Sequence, residues 1–576
     1  MTRLLLCSAL STALCLCAGP VAAQAGFTDV TAARGITIVN QYGPVLPNDT
    51  DMLPTESQQI DIVQRNQGNG AAVGDYDNDG DLDVLILSQK NFRMALYRNN
   101  HPTPSFTDVT VQAGLFNRGQ SRVANFIDLD NDGWKDLVVL NDMRCDAPNC
   151  PQAAPVEPVV LRSVGAQPLP SEQGPFYGQQ HAPSSIYRNN GDGSFSDMTP
   201  DSGFDPTGYV IGGLGFVDFD RDGRMDIYVT TWGGLQAAGF TYMEGYNRLY
   251  WNQGNFKFKD ATRSLGLGTL RSNSYAPIFS DFDLDGDTDL FVAIDGYADK
   301  FYRWEAGKFA DQTTMVGATH VGTDMGVAHG DFDDDGDMDM FVTNVTDPAG
   351  AWGGNTLYVN KLVENGTLSF VNEANARGVK NSGWGWGAEW VDVDNDGDLD
   401  LFAVNGFDEW VVALAQPAGL LNRPADLFLN DGTGNFTKAV NSGAEVVGDA
   451  RSAIAFDVDR DGDQDLLITH VDGPHALLLN DLNDGGGTNH WLDVSLVGNG
   501  TVNSEGIGAR IRAIVGPKTY TRELIAGGSF LSGRPFEVHF GLGAATQVDQ
   551  LWVHWPDGTT TMLSNVAADQ HVFVQH

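Results

Sequence analysis

Positive charge is scarce in this chain. Lys and Arg number 34 against 75 Asp and Glu, a formal charge of -41 over 576 residues. Such an excess repels nucleic acid and anionic membranes at long range, which argues against both as partners and makes cations the natural ones. Cysteine is scarcer still: of 5 residues, Cys7, Cys15 and Cys17 fall within the first 23. The remaining pair, Cys145 and Cys150 in "CDAPNC", is expected to close a small disulfide, with two free thiols as the alternative. Two cysteines are too few for a structural metal site. No segment after the N-terminal stretch has 18 uninterrupted apolar residues, so no membrane span is expected. H-E-x-x-H, a P-loop and G-x-S-x-G in a strand-to-helix context are all missing, and so is any assembled catalytic triad.

The N-terminus has the layout of an export signal. Arg3 supplies the charged start, Leu4 to Cys17 an apolar stretch, and Val21-Ala22-Ala23 a small-residue cleavage site before Gln24. A lipoprotein acceptor at Cys17 is disfavoured by the large Leu16 before it. The protein is therefore expected to be secreted, periplasmic or on the cell surface, with residues 1–23 removed. With 68 Gly, 10% aromatic and only 19% charged residues, the rest has the composition of a turn-rich β protein.

Its aspartates are not scattered. The pattern D-x-D-x-D-G-x-x-D occurs seven times, starting at Asp75, Asp128, Asp218, Asp281, Asp331, Asp392 and Asp457. Position 3 is Asp77, Asp130, Asp220, Asp283, Asp333, Asp394 and Asp459, and position 5 is Asp79, Asp132, Asp222, Asp285, Asp335, Asp396 and Asp461. Position 9 is Asp83, Asp136, Asp226, Asp289, Asp339, Asp400 and Asp465, and position 6 is always Gly. Hard carboxylate oxygens converging around a sharp glycine turn suit Ca²⁺, and the flexible multi-carboxylate cage suits it better than Mg²⁺. Position 7 is Asp81, Trp134, Arg224, Asp287, Asp337, Asp398 and Asp463. Trp134 and Arg224 cannot ligate through their side chains, so position 7 is expected to act through its backbone carbonyl. Up to seven calcium sites follow.

The surroundings exclude an EF-hand, which needs a Glu at position 12 and flanking helices. Position 12 is apolar here, within runs such as "DVLIL", "DLVVL" and "DLLIT" that read as buried strands. Position 2 is always apolar, consistent with a side chain turned into a core. Each unit continues with an "LYRNN"-like and then an "FTDVT"-like segment, the latter weaker at "FVNEA" and "FTKAV" in the fifth and sixth units. Four strands per unit in seven units predict an all-β, seven-bladed propeller over 24–482. The seventh unit lacks its fourth strand while an orphan "FTDVT" stands at 27–31, so the N-terminal strand is expected to complete that blade and close the ring. The β-rich, partly alternating segments of 489–576, from "WLDVSLV" to "HVFV", predict a small sandwich-like β domain.

These loops resemble the FG-GAP/VCBS calcium repeats, as in the integrin α-subunit propeller. "MGVAHGDFDDDGDMDMFVTN" and "GWGAEWVDVDNDGDLDLFAVNG" resemble the cartilage acidic protein family, and the tail from "NHWLDVSLVG" to "NVAADQ" is similar to an ASPIC/UnbV domain.

An innermost pre-loop strand would put all seven acidic loops on one face. The opposite face would then carry the insertions, at 141–184, 231–246, 344–354 and 406–425, with the lead-in 34–70. Trp232, Tyr242, Tyr246, Trp352, Trp384, Trp386 and Trp410 lie in or near them, either stacking on a ligand or packing on the rim. Arg122, Arg271 and Arg451 precede pre-loop strands, where they would line the mouth or pair with local acids. His320, His329 and His470 are expected to be structural. The sequence thus points to an exported calcium-binding scaffold for adhesion or recognition of an extracellular protein or glycan. The alternative is a carbohydrate-active enzyme, such as a polysaccharide lyase, using the insertion face.

Overall fold

The structure is a computed structural model describing residues 26–40, 68–87, 94–115, 120–142, 184–206, 210–232, 246–268, 273–346, 353–406, 423–481 and 488–576. The apolar runs after the acidic loops are buried on both faces, as in Asp83–Leu87, and form the second strand of each sheet. A run with apolar side chains on both faces must be covered on both. Stacking sheets around an axis does this, since each then packs against two neighbours.

Seven sheets result among the described residues, each built on four antiparallel strands; Ser532–Gly533 adds a parallel fifth strand to the first, and Val321–Thr323 adds a fifth to the fourth. Their first strands are Ala71–Gly74, Gln120–Ile127, Ile211–Val217, Ser274–Ser280, Val327–Gly330, Gly385–Val391 and Ala450–Phe456. Each lies beside the next, and the seventh returns to the first, so they form the inner wall of a ring. The sheets are blades 1 to 7, and each acidic loop, numbered likewise, joins the first strand of its blade to the second. The core sits as wedges between blades: Tyr76, Phe126 and Leu137 pack between blades 1 and 2, and Phe332, Trp390 and Phe436 between blades 5 and 6. Phe332 and Trp390 stack at 5.5 Å with their planes 9° apart.

The all-β propeller expectation holds, including its closure. Phe27–Asp29 pairs with Ala476–Asn480, Phe27 opposite Asn480, as the fourth strand of blade 7. The weak fourth-strand sequences of blades 5 and 6 also pair, as Phe370–Asn372 and Phe436–Lys438. There the buried Phe alone supplies the anchor.

The C-terminal region forms two sheets. One joins Glu537–Gly543, His490–Val497 and Gln570–Gln575; the other joins Lys518–Glu523, Arg510–Val515, Gln547–His554 and Thr560–Ala567. It sits on the loop-bearing face, and residues 524–534 leave it to enter the ring. This plug touches the inner strand of every blade. Ser532 and Gly533 pair in parallel with Ala71 and Ala72 of blade 1. Phe216 of blade 3 donates its N–H to the Ala526 carbonyl at 2.9 Å, and Ser529 and Val327 of blade 5 exchange backbone bonds of 2.6 and 3.2 Å. Phe530 packs between Tyr275 of blade 4 and Trp386 of blade 6. The Ser529 hydroxyl donates to the Ala453 carbonyl of blade 7 at 3.1 Å. Gly533 lies against Ala124 of blade 2, where a side chain would collide with the carbonyl.

Candidate metal sites

The seven loops share one conformation, which the chain itself imposes. Both oxygens of the position-1 carboxylate accept backbone N–H groups, from position 5 and from the position-6 glycine: Asp75 receives Asp79 at 3.1 Å and Gly80 at 3.0 Å. The same pair of bonds recurs at Asp128, Asp218, Asp281, Asp331, Asp392 and Asp457. The N–H of position 7 donates to the position-5 carboxylate in every loop, Trp134 to Asp132 and Arg224 to Asp222 included. Glycine at position 6 adopts φ of 83 to 99° throughout, the left-handed region that residues with a Cβ rarely enter. Position 4 is left-handed as well, at Asn78, Asn131, Arg221, Leu284, Asp334, Asn395 and Arg460. That double requirement makes the turn tight enough to bring carboxylates of positions 1, 3 and 9, or of 1, 3 and 5, close together.

The position-9 aspartates are buried in every loop. One oxygen of each accepts the backbone N–H of a third-strand residue, for instance Asn99 to Asp83 at 2.8 Å and Asn480 to Asp465 at 2.8 Å. Carboxylate oxygens of Asp75, Asp77 and Asp83 lie within 4.8 Å of one another, as do those of Asp128, Asp130 and Asp136, of Asp218, Asp220 and Asp226, and of Asp281, Asp283 and Asp285. In loops 2 and 4 a third-strand arginine reaches in from the solvent side: Arg188 to Asp130 at 3.1 Å and Asp132 at 2.9 Å, and Arg303 to Asp283 and Asp285. They do not complete the coordination. Asp77 Oδ1, Asp130 Oδ1, Asp289 Oδ2, Asp333 Oδ1 and Asp339 Oδ2 are buried without a hydrogen-bond partner.

Electrostatics point the same way. Burial, reinforced by neighbouring carboxylates, pushes Asp75 and Asp218 up to about 6 and Asp281 and Asp392 to about 7. Asp394 is pushed to about 8, and Asp136 and Asp289 to about 9, in each case first by burial. Carboxylates held this close in a desolvated loop cannot all ionise alone. Oxygen donors only, several per loop, some of them buried without a hydrogen-bond partner, are a donor set that fits a hard divalent cation of calcium's size.

A model of the FG-GAP-like repeat matches residues 75–139, 176–229, 237–292 and 281–342, and the ASPIC and UnbV model matches 499–576. The chain carries FG-GAP-like repeats and an ASPIC/UnbV domain. Cartilage acidic protein 1 of Xenopus tropicalis is 24% identical over 325 residues, covering 48% of this chain and 48% of the relative. The human protein of that name is 24% identical over 265 residues, covering 39% and 38%. The chain thus spans half or less of the length of these relatives. Among solved structures, an exotype rhamnogalacturonan lyase overlaps at TM-score 0.33 and 13% identity, covering 79% of this chain and 72% of that one. The biofilm matrix protein Bap1 of V. cholerae overlaps at 0.25 and 13%, covering 64% and 61%. Overlaps this low carry no argument about function.

Two features of this FG-GAP protein's loops escape a reading for carboxylates alone. The third strand ends in Asn in six blades, and its side-chain amide donates to the position-2 carbonyl of the preceding blade's loop: Asn99 to Val458 at 2.8 Å, Asn189 to Tyr76 at 2.7 Å, Asn252 to Leu129 at 2.9 Å. Asn360, Asn430 and Asn480 do the same to Phe282, Phe332 and Val393. The recurring Asn, the first of the pair in "LYRNN" and the last residue of "RLYWN", "TLYVN" and "ALLLN", is the available signal. Position 4 is the second, because Asn78 donates to the Gly133 carbonyl at 3.0 Å and Asn131 to Gly223 at 2.7 Å, each reaching the next loop.

Other expectations resolve as packing. Trp232, Trp384 and Trp386 are buried; Trp232 Nε1 donates to Asp295 at 2.9 Å, and the Arg451 guanidinium lies 4.1 Å above Trp386. Arg122 is buried, donating to the Gly68 carbonyl at 2.6 Å and pairing with Asp142 at 3.5 Å, while Arg451 pairs with Asp449. Of the two roles open to these arginines, pairing with local acids is the one observed. His329 and His470 are buried, and His320 is held by Asp324 at 2.9 Å. Arg271, Tyr242, Trp352, Trp410, Cys145, Cys150 and the N-terminal 23 residues lie outside the described residues.

The raised carboxylates set opposite pH responses for the cation-free and cation-loaded protein. A folded-state value above the ordinary 3.8 means the fold favours the protonated acid, so this contribution is lost as pH rises through about 6 for Asp75 to about 9 for Asp136. A bound cation needs the carboxylates ionised, which reverses the sign. The buried neutral His470 and His475, lowered to about 4 and about 3 by burial, oppose further gain below 6.5. From pH 9 down to 6.5, the cation-free protein is therefore expected to melt at progressively higher temperature and a cation-loaded protein at lower. Parallel slopes in calorimetric scans of the two forms would contradict this.

Proposed function

We propose that this protein is an exported, calcium-stabilised β-propeller that serves as an adhesion or ligand-recognition scaffold. On this reading residues 1–23 are a signal, 24–482 form the propeller and 489–576 the ASPIC/UnbV domain. Positions 1, 3, 5 and 9 of each loop, with the position-7 carbonyl, hold one Ca²⁺, and Cys145 and Cys150 pin the insertion after loop 2. The observation that carries it is the set of buried, partnerless carboxylate oxygens at equivalent positions of one repeated loop. Calcium would supply charge neutralisation and rigidity to the loops, leaving the insertion face to select an extracellular protein or glycan. Relatives whose name places them in cartilage agree with a role outside the cell. Among the described residues, no helix is long and apolar enough to cross a membrane.

The carbohydrate-enzyme alternative requires Arg, His and Tyr or Lys converging at a central pocket. Arg122 and Arg451 are instead committed to acids and carbonyls, and residues 524–534 fill the axis. No described observation favours it.

Calorimetric titration of chelator-treated protein tests the proposal through one loop. Asp333→Asn with Asp335→Asn is expected to remove one calcium equivalent and leave the other sites unchanged, as repeats with separate cages should behave. Unchanged stoichiometry would refute the assignment of that loop.

A further inference from the structure

The position-4 contacts form a chain around the loop-bearing face. Loop 1 reaches loop 2 through Asn78, loop 2 reaches loop 3 through Asn131, and loop 3 reaches loop 4 through Arg221 to the Gly286 carbonyl. Asn395 carries loop 6 to Gly462 at 3.0 Å, and Arg460 carries loop 7 to Gly80 at 3.0 Å. Two links cannot form this way, because position 4 is Leu284 in loop 4 and Asp334 in loop 5. Neither side chain, with Asp334 ionised, offers a proton to the next glycine carbonyl. Both carbonyls are nevertheless bonded. Arg510 Nη1 donates to Gly336 at 3.4 Å and Arg522 Nη2 to Gly397 at 3.2 Å, and both arginines come from the C-terminal domain.

We infer that Arg510 and Arg522 are positioning residues for calcium sites 5 and 6, standing in for the missing position-4 donors, so that the ring of sites is complete only with the C-terminal domain docked. The inference rests on the calcium reading above. Its physical basis is one peptide plane. The glycine carbonyl and the position-7 N–H are the two ends of the same peptide unit, and that N–H holds the position-5 ligand, Asp335 from Asp337 at 3.1 Å and Asp396 from Asp398 at 3.0 Å. Fixing the carbonyl fixes the carboxylate. Arg522 is 7% exposed, and its orientation is held by a second bond from Nη1 to the Thr521 carbonyl at 3.0 Å. Arg510 Nη2 donates to the Asp281 carbonyl at 3.1 Å, tying the start of loop 4 to the same guanidinium.

The sign of the effect separates this role from simple electrostatics. Removing a positive charge beside an acidic cage would by Coulomb attraction tighten a cation. Loss of a group that orients a ligand loosens it, by roughly 10- to 100-fold for outer contacts of a metal site.

The test uses the full chain with both arginines replaced, Arg510→Met and Arg522→Met, titrated with calcium by calorimetry and with Tb³⁺ by luminescence. Two sites are expected to weaken by at least about tenfold while the others keep their affinity. Adding Leu284→Asn and Asp334→Asn supplies the amide found at position 4 of loops 1, 2 and 6, and is expected to restore both sites. Restoration cannot come from charge, because Asp334→Asn removes a negative one. Unchanged or tightened affinity in the double arginine variant would overturn the inference, and so would weakening that the asparagines fail to rescue. A parent protein that binds no calcium would instead sink the calcium reading itself.

Discussion

Stripping calcium from the protein with excess chelator is expected to lower its melting temperature by roughly 10 °C or more, and adding the ion back to restore it. An ion that binds only the folded state contributes about 2.7 kcal/mol per site when supplied at 100 times its dissociation constant. On the proposed reading several such sites bind to one folded structure, so their separate contributions add on a single melting transition. Asn99, Asn189, Asn252, Asn360, Asn430 and Asn480 tie six of the seven loops to a neighbouring blade, so a slack loop there loosens the wedge core beneath it. Without the ion, Asp136 and Asp289 are left as buried acids pushed up to about 9 beside further carboxylates. Magnesium at the same concentration is expected to restore less, since it demands a tighter octahedral shell than a multi-carboxylate cage offers. Melting unaffected by chelator would remove the basis for every site proposed.

Phe530→Ala is expected to cost about 3–5 kcal/mol, in the range for emptying a fully buried aromatic position. Phe530 is 0% exposed, with ring centres 5.3 Å from Tyr275 and 4.9 Å from Trp386, on different blades. The neighbouring walls are strands of a closed ring, which cannot collapse inward to fill the gap. Loosening of 524–534 should appear as faster proteolysis of that segment along with the lower melting temperature. Phe573→Ala is the matched control, because Phe573 is 63% exposed and its loss should stay within about 0.5 kcal/mol. Equal effects of the two substitutions would mean that the plug does not stabilise the ring.

Much of this architecture was readable before any fold was known. Repetition is the reason: a nine-residue pattern seen seven times assigns a job to each position by what it tolerates, as Trp134 and Arg224 did for position 7. The orphan "FTDVT" at 27–31 announced the closing strand, which pairs where the seventh unit lacked one. The aromatic residues were ambiguous because the same Trp suits a ligand platform or a packed rim. Only their surroundings decided, as with Trp386 between Arg451 and Phe530. The terminal Asn of the third strand was visible as a letter but not as a bond, since its partner lies in the preceding blade.

What the sequence determined alone were features encoded within one unit: the acidic loop, the buried strands after it, the β content of the tail and the excess of negative charge. Tertiary structure alone decided that "IAGGSFLSGR" runs through the axis and that Arg510 and Arg522 meet Gly336 and Gly397. A local pattern repeats because each blade solves the same packing problem. A plug or a pair of borrowed donors belongs to no repeat, joins residues more than seventy positions apart and leaves no period to find.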